Sequence, residues 1–168
     1  LTMAQLIKPF TQRTSPLNPG VTVYNVKGDF AMIGNTSLTL QNYGDNTGNN
    51  QGMIYVDIDN DPNTVNSSSA DLTFSTENGA DPSCSEVVYA GLYWTGRASN
   101  GPNSPNSFDV TVNGNTITLN KQQVKLQGPA SSGYTTITAT SSDIYYPDTS
   151  DAYMYSAYAE VTDFVRNN

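Results

Sequence analysis

Short runs of alternating apolar and polar residues, each closed by a turn residue, constrain this chain more than any other feature. The clearest example is residues 107–120, where SFDVTV and NTITLN flank Asn113-Gly114. Alternation with a period of two is typical of a half-buried strand, and Asn-Gly between two such runs is the strongest short-range signal for a tight hairpin. Further strand-like runs, most of them alternating and some apolar on both faces, are found at 21–26, 30–34, 37–41, 53–58, 70–75, 85–96, 122–127, 134–140 and 152–165. We therefore predict an all-β fold, a β-sandwich of the jelly-roll kind with about ten short strands.

The amino-acid composition favours the same fold class. Asn, Ser and Thr number 19, 17 and 20, which is one third of the 168 residues, and Tyr occurs 11 times. Thr and Tyr favour strands, whereas good helix formers are scarce in this chain. No apolar run approaches the roughly 20 residues that a membrane-spanning helix needs, so we expect no membrane span.

The charged and reactive residues exclude several classes of function. A formal charge of −8 repels a phosphate backbone, so nucleic acid is not expected as a partner. Histidine is absent and Cys84 is the single cysteine, which excludes an internal disulfide, a Cys/His zinc site and a Ser-His-Asp triad. Catalysis would depend on carboxylates, and nothing in the spacing of Glu86 and Glu160 marks them as a pair. We therefore expect no enzyme activity.

The ends of the chain differ from its middle. Residues 1–20 contain three prolines and no periodicity, which predicts an extended leader, and Leu1 to Ala4 resemble the tail of a signal peptide. Residues 21–168 are predicted to form the β-sandwich domain. Because Asn167-Asn168 follow a strand-like segment directly, we expect this domain to continue past them.

The most apolar segment is SEVVYAGLYWTG, residues 85–96. Apolar side chains fall on both of its faces, which predicts a central strand that is covered on both sides. Gly91 in its middle predicts the close approach of a neighbouring strand or side chain.

Three aspartates at alternate positions, Asp57, Asp59 and Asp61, begin near the end of the predicted strand 53–58 and continue beyond it. Residues two apart on a strand share a face, and two bare carboxylates there repel by about 2–3 kcal/mol at an effective dielectric of about 20. A bound Ca²⁺ would offset this repulsion. An EF-hand is excluded, because Pro62 stands where its glycine is needed and Ser68 where its bidentate glutamate is needed.

Two alternatives remain for these aspartates. The first is a looser Ca²⁺ site that uses Asp57, Asp59 and Asp61, with Asn63 as a further oxygen donor. The second is a solvated turn at Asn60-Asp61-Pro62, in which the carboxylates accept hydrogen bonds from backbone amides.

A second cluster combines aromatic rings with carboxylates near the end of the chain. Its members are Tyr145, Tyr146, Tyr153, Tyr155 and Tyr158, with Asp143, Asp148 and Asp151. Rings beside carboxylates can hold a sugar by stacking and hydrogen bonding. The alternative is that the tyrosines form one face of a strand and pack against a second sheet.

Four segments, in their order along the chain, carry a resemblance to a known family. They are GDFAMIGNTSLTL (28–40), YVDIDNDPNTVNSSSADL (55–72), YAGLYWTGRA (89–98) and MYSAYAEVTDFVR (154–166). Together they resemble the amino-terminal domain of the SprB-like gliding-motility adhesins, which are very large surface proteins of the Bacteroidota.

The resemblance implies a non-enzymatic domain that is secreted by the type IX system and associated with the outer membrane at the cell surface. Its implied partners are outer-membrane and secretion-system proteins, the rest of the same long filament, and an external surface or polysaccharide. The alternative function is a carbohydrate-binding module of a secreted protein or hydrolase.

Overall fold

The computed structural model describes residues 12–44, 48, 50–98, 106–112, 114–146 and 153–168. These residues form nine strands and one short helix. The elements are β1 (Leu38–Leu40), β2 (Met53–Tyr55), β3 (Gly91–Arg97), β4 (Ser107–Val112), β5 (Asn115–Asn120), β6 (Gln123–Leu126), β7 (Thr135–Thr138), β8 (Ile144–Tyr145), β9 (Met154–Glu160) and α1 (Thr162–Arg166). The all-β prediction is thus confirmed. Over the same ranges no helix is long and apolar enough to cross a membrane.

The strands are arranged in small antiparallel sheets. β3, β9 and β8 form a three-stranded sheet in that order, and three two-stranded sheets pair β1 with β2, β4 with β5 and β6 with β7. The packing of these sheets into a sandwich remains a prediction.

The chain divides into two compact units. The first, called the main unit here, comprises Leu1–Val26 and Glu86–Asn168, and the second, called the inserted unit, comprises Lys27–Ser85. The inserted unit contains β1 and β2, and the main unit contains β3 to β9 and α1.

The hairpin predicted at Asn113-Gly114 is confirmed. β4 and β5 pair along their whole length, and Val112 is the register partner of Asn115. Gly114 has φ 81°, a left-handed conformation that glycine adopts without steric cost. Asn113 lies outside the described residues.

Three predicted strands are absent from the described structure. Residues 21–26 and 70–75 have alternating sequences and residues 30–34 are apolar throughout, but none of the three forms a strand pair within the described residues. Alternation shows that a segment is suited to a sheet; it carries no information on whether a second strand lies beside it.

The prediction of a central strand at 85–96 is wrong in two respects. β3 begins at Gly91, and it lies at the edge of its sheet, since β9 is the strand in the middle. Separately, the face of β3 that carries Gly91, Tyr93, Thr95 and Arg97 is exposed, and the Tyr93 side chain on it is 66% exposed. The predicted close approach at Gly91 is confirmed, because a Cβ there would lie 2.9 Å from Cε2 of Tyr158.

β9 is the best-buried strand of the main unit. It pairs with β3 from Gly91↔Glu160 to Arg97↔Met154, and Ala157 in its centre is 2% exposed. Ala157 also pairs with Ile144 of β8, so β9 has a strand neighbour on both edges.

The end of β9 is held by a buried polar network. Val161 N–H donates to Ala90 O at 2.9 Å, and Ala90 N–H donates to Thr162 Oγ1 at 3.0 Å. The Thr162 hydroxyl donates to Glu160 Oε1 at 2.8 Å, and the Ser15 hydroxyl donates to the same atom at 2.7 Å. Ser15 and Thr162 are 4% and 2% exposed. The described part of the predicted leader, residues 12–20, contains no helix or strand, yet it is fixed to the main unit through Ser15.

Candidate functional site

The three aspartates of the predicted metal site lie in an exposed turn of the inserted unit. Asp57 Oδ1 accepts from the Asn60 amide at 3.0 Å, and Asp59 Oδ1 accepts from the Asp61 amide at 3.1 Å. Asp61 Oδ1 accepts from the amide of Asn63 at 2.9 Å. Asn60 has φ 52°, a left-handed conformation that asparagine tolerates better than most residues. Each carboxylate thus caps the backbone two or three residues further along the turn.

Ser67 brings two of the three aspartates together. Its hydroxyl oxygen lies 3.2 Å from Asp57 Oδ1 and 2.9 Å from Asp59 Oδ1. It also accepts from the amides of Ile58 and Asp59, at 2.8 and 3.1 Å. Asp61 is instead directed to Asn63, whose side-chain Nδ2 donates to it at 2.8 Å.

In these contacts the three aspartates accept hydrogen bonds that stabilise the turn. No group of three or more histidine, cysteine, aspartate or glutamate side chains in the described part of the chain is arranged to hold a metal ion. The Ca²⁺ site at Asp57, Asp59 and Asp61 therefore remains a prediction, and the convergence of Asp57 and Asp59 on Ser67 is the feature that would contribute to it.

The open face of β3 and β9 forms a second candidate site, which we call the tyrosine face. Tyr93 and Tyr158 are register partners on this face, with ring centroids 4.8 Å apart and planes inclined by 50°. Tyr158 is 7% exposed, whereas Tyr93 is largely exposed. The buried ring thus supports the exposed one, which fixes an aromatic surface toward solvent.

Tyr158 is surrounded by further interactions. The Arg13 guanidinium lies 3.8 Å from its ring centroid and also pairs with Asp143, whose backbone oxygen accepts from the Tyr158 amide at 3.0 Å. The Tyr158 hydroxyl hydrogen-bonds to that of Tyr89. Burial first, and then this hydrogen bond, raise the pKa of the Tyr158 phenol above its ordinary value. Tyr158 is therefore a fixed, neutral part of the face.

Two glycines of β3 make room for tyrosines of β9. At Gly91 the neighbour is Tyr158, and at Gly96 an added Cβ would lie 2.6 Å from the Tyr155 hydroxyl and 2.8 Å from its ring. Gly96 and Tyr155 are direct register partners. The tyrosine rings therefore cover the glycine backbone of the edge strand, an arrangement that compensates for the missing side chains.

The predicted tyrosine cluster separates in the structure. Tyr155 and Tyr158 lie on opposite faces of β9 and pack over glycines of β3 in the same sheet, so packing of the tyrosines against a second sheet remains a prediction. Tyr153 is 38% exposed, with the Arg97 guanidinium 4.9 Å from its ring centroid. Asp148 and Asp151 lie outside the described residues. Sequence reasoning missed Tyr93, the most exposed of the tyrosines on β3 and β9, because the apolar residues on both faces of 85–96 predicted a covered strand.

A buried lysine, also missed from the sequence, joins the small sheets of the main unit. Lys121 is 1% exposed, and burial lowers the pKa of its ammonium group. Its Nζ lies 5.4 Å from the ring centroid of Tyr146, and its backbone oxygen accepts from Trp94 Nε1 at 3.0 Å. The only sequence signal was its place between two strand-like runs.

The two glutamates of the strand-like segments have structural partners. Glu86 lies 3.6 Å from Arg166, and Glu160 belongs to the buried network at Ser15 and Thr162. Cys84 is exposed in a short 3-10 turn, Pro82–Cys84, where Asp81 caps the Ser83 amide at 2.9 Å.

Comparison of the chain with known protein families, with curated proteins and with solved structures gives no match.

Proposed function

We propose that this chain is a non-enzymatic domain of a very large secreted adhesin that serves gliding motility and surface attachment. The observation that carries the proposal is the pairing of the four segments that resemble such adhesins. Segment 28–40 contains β1, which pairs with β2, and 55–72 begins at the last residue of β2. Segment 89–98 contains β3, which pairs with β9 in 154–166. The segments that carry the resemblance therefore contribute paired strands to both units.

This function requires a position outside the cell. The domain is carried to the outer surface by the type IX system, is held there by outer-membrane and secretion-system proteins, and extends into the rest of the filament. The external surface or polysaccharide is then its adhesive target.

The test uses antibodies raised against the purified 168-residue chain. We expect them to label intact cells of the source organism, and we expect protease added to intact cells to remove the label while a cytoplasmic marker survives. Deletion of residues 27–168 from the gene should reduce attachment and gliding. Labelling that needs lysed cells, or normal attachment after the deletion, would contradict the proposal.

The tyrosine face supports carbohydrate binding as a second candidate function. Tyr93 presents an exposed ring on a rigid strand, and Thr95 and Arg97 follow on the same face of β3. An aromatic ring flanked by hydroxyl and cationic groups is the arrangement by which proteins stack a sugar and bind its hydroxyls.

A glycan array tests this second function. A sugar that binds the chain should lose most of its signal with Tyr93→Ala and keep it with Tyr93→Phe, which retains the ring. Tyr134→Ala is the matched control, because Tyr134 is also a half-exposed tyrosine but precedes a different sheet. No binding to any glycan, or equal loss with both alanine variants, would remove the tyrosine face as a sugar site.

A further inference from the structure

The inserted unit exposes its apolar side chains instead of burying them. None of the described residues between Lys27 and Ser85 is buried. Met32 and Phe30 are 87% and 81% exposed, and Ile58 and Ile33 are more than half exposed. Leu38, Tyr43, Met53, Ile54, Tyr55, Leu72 and Phe74 are further exposed apolar residues of this unit. Exposed apolar surface on this scale is typical of an interaction site.

The backbone of this unit is open as well. β1 and β2 pair with each other alone among the described residues, so one edge of each strand makes no strand pair there. Residues 31–35 make no hydrogen bond within the described part of the chain. Open strand edges and unpaired extended segments are templates to which a further strand can add.

The negative charge of the inserted unit favours a positively charged partner. It holds one lysine against seven aspartates and one glutamate, so it carries −7 of the chain's formal charge of −8. Two of these aspartates, Asp29 and Asp71, directly precede the apolar runs that start at Phe30 and Leu72. A second copy of the chain would bring the same negative charge to the surface, which opposes self-association.

We propose that the inserted unit binds an extended basic strand of another protein, in which apolar residues alternate with lysine or arginine. Its apolar side chains would cover residues such as Phe30 and Met32, its cations would face the aspartates, and its backbone would pair with an open strand edge. This inference goes beyond the adhesin function and stands without it.

The test uses a synthetic peptide of alternating valine and lysine with a fluorescent label, titrated with the full 168-residue chain. Fluorescence anisotropy should show saturable binding that weakens as salt is added. A peptide of alternating valine and glutamate has the same apolar content and should not bind. In an extended peptide of alternating valine and lysine, the valine amides point to one edge and the lysine amides to the other. Two further peptides therefore carry N-methyl groups on all valine amides or on all lysine amides, and each can donate no hydrogen bonds from one edge. One of the two should lose binding.

Variants of the chain separate the apolar contact from general attraction to an acidic protein. The double variant Phe30→Ser with Met32→Ser keeps every charge and should weaken binding by at least about tenfold, since two large apolar contacts are lost. Val23→Ser is the matched control, because Val23 is 75% exposed but lies in the main unit. It should leave the affinity unchanged.

Each alternative outcome would overturn the proposal. Equal affinity for the lysine and glutamate peptides would exclude a basic partner, and equal weakening by both serine variants would exclude the inserted unit as the site. Retained binding by both methylated peptides would exclude strand addition. A dimer in sedimentation that the double variant dissociates would assign this surface to a second copy of the chain.

Discussion

The main unit and the inserted unit contain the same kind of sequence but differ in burial. In the main unit, seven residues of β3 pair with β9, and Ala157 and Tyr158 are almost completely buried. In the inserted unit, the paired strands have three residues each, and none of the described residues is buried. The main unit is therefore stabilised by its own packing, whereas the surface of the inserted unit is suited to a partner.

This difference shows how little the apolar content of a segment determines by itself. The FAMIG run at 30–34 and the GLYWTGR run of β3 are both rich in apolar residues and contain glycine. β3 is a strand because β9 supplies a complete register partner with tyrosines that fit over Gly91 and Gly96. Residues 30–34 have no such partner among the described residues, so their apolar side chains stay exposed.

The largest expected effect comes from truncating one aromatic ring in each unit. Tyr158→Ala should lower the free energy of unfolding of the main unit by about 3 kcal/mol, because a buried ring is removed from between Tyr93 and Arg13. Phe30→Ala should change the free energy of unfolding of the inserted unit by less than about 0.5 kcal/mol, because the Phe30 ring is exposed. Urea unfolding followed by the fluorescence of Trp94, the single tryptophan, measures the main unit, and circular dichroism in the far ultraviolet follows the strands of both units. Similar losses in the two variants would show that Phe30 packs as tightly as Tyr158.

A smaller effect is expected from adding a side chain at glycine. Gly96→Val should destabilise the main unit by about 1–3 kcal/mol, because its Cβ would overlap the Tyr155 ring. Gly34→Val is the matched change in the inserted unit, where a Cβ would meet no atom within 4 Å. Its effect should be below about 0.5 kcal/mol. Equal tolerance at both positions would mean that Tyr155 moves aside freely.

Alkaline pH should act on the main unit through its tyrosines. Burial raises the pKa of Tyr146, Tyr155 and Tyr158 above the ordinary value of about 10. These groups therefore lose their protons more readily in the unfolded chain. Their contribution to stability is complete below about pH 10 and is lost as the pH rises through the raised values of the folded state.

We accordingly expect the urea midpoint of the main unit to fall between about pH 9 and about pH 11. Tyr158→Phe should flatten part of this decrease, because it removes one of the groups responsible. An unchanged pH profile in the phenylalanine variant would show that Tyr158 does not contribute to it.

The smallest expected effect is that of calcium on the inserted unit. If Asp57, Asp59 and Asp61 bind Ca²⁺, a free Ca²⁺ concentration of about ten times the dissociation constant raises the free energy of unfolding of the inserted unit by about 1.4 kcal/mol. Calorimetry should then show a higher melting temperature in millimolar calcium than in chelator, and Asp59→Ala should abolish the difference. Asp71→Ala, an exposed aspartate outside the turn, is the control. Identical curves in calcium and chelator would leave these aspartates as turn caps alone.

The sequence predicted what depends on near neighbours in the chain. The hairpin at Asn113-Gly114 needs only a left-handed glycine and two adjacent runs, and the close approach at Gly91 needs only the missing side chain. The edge position of β3 and the exposure of Tyr93 depend on pairing with β9, which is remote in sequence. The burial of Lys121 likewise depends on where separate hairpins meet.

The candidate sites follow the same division. The capping of turn amides by Asp57, Asp59 and Asp61 is local, and the sequence offered it as one of two alternatives. The hydrogen bonds of Asp57 and Asp59 to the Ser67 hydroxyl depend on the path of the chain through the turn back to residue 67. The spacing of the aspartates in the sequence does not predict that path.

The contact between Ser15 and Glu160 has a mechanical consequence. These residues are 145 apart in sequence, yet their side chains are hydrogen-bonded beside α1, at the end of β9. Tension applied between the segment before Ser15 and α1 would reach this contact through a short path that bypasses most of the strands between them. Arg13 lies in the loaded segment and contacts Asp143 and the Tyr158 ring, so it would share the load with the Ser15–Glu160 bond. These few side-chain contacts would therefore have to break before the intervening strands were extended.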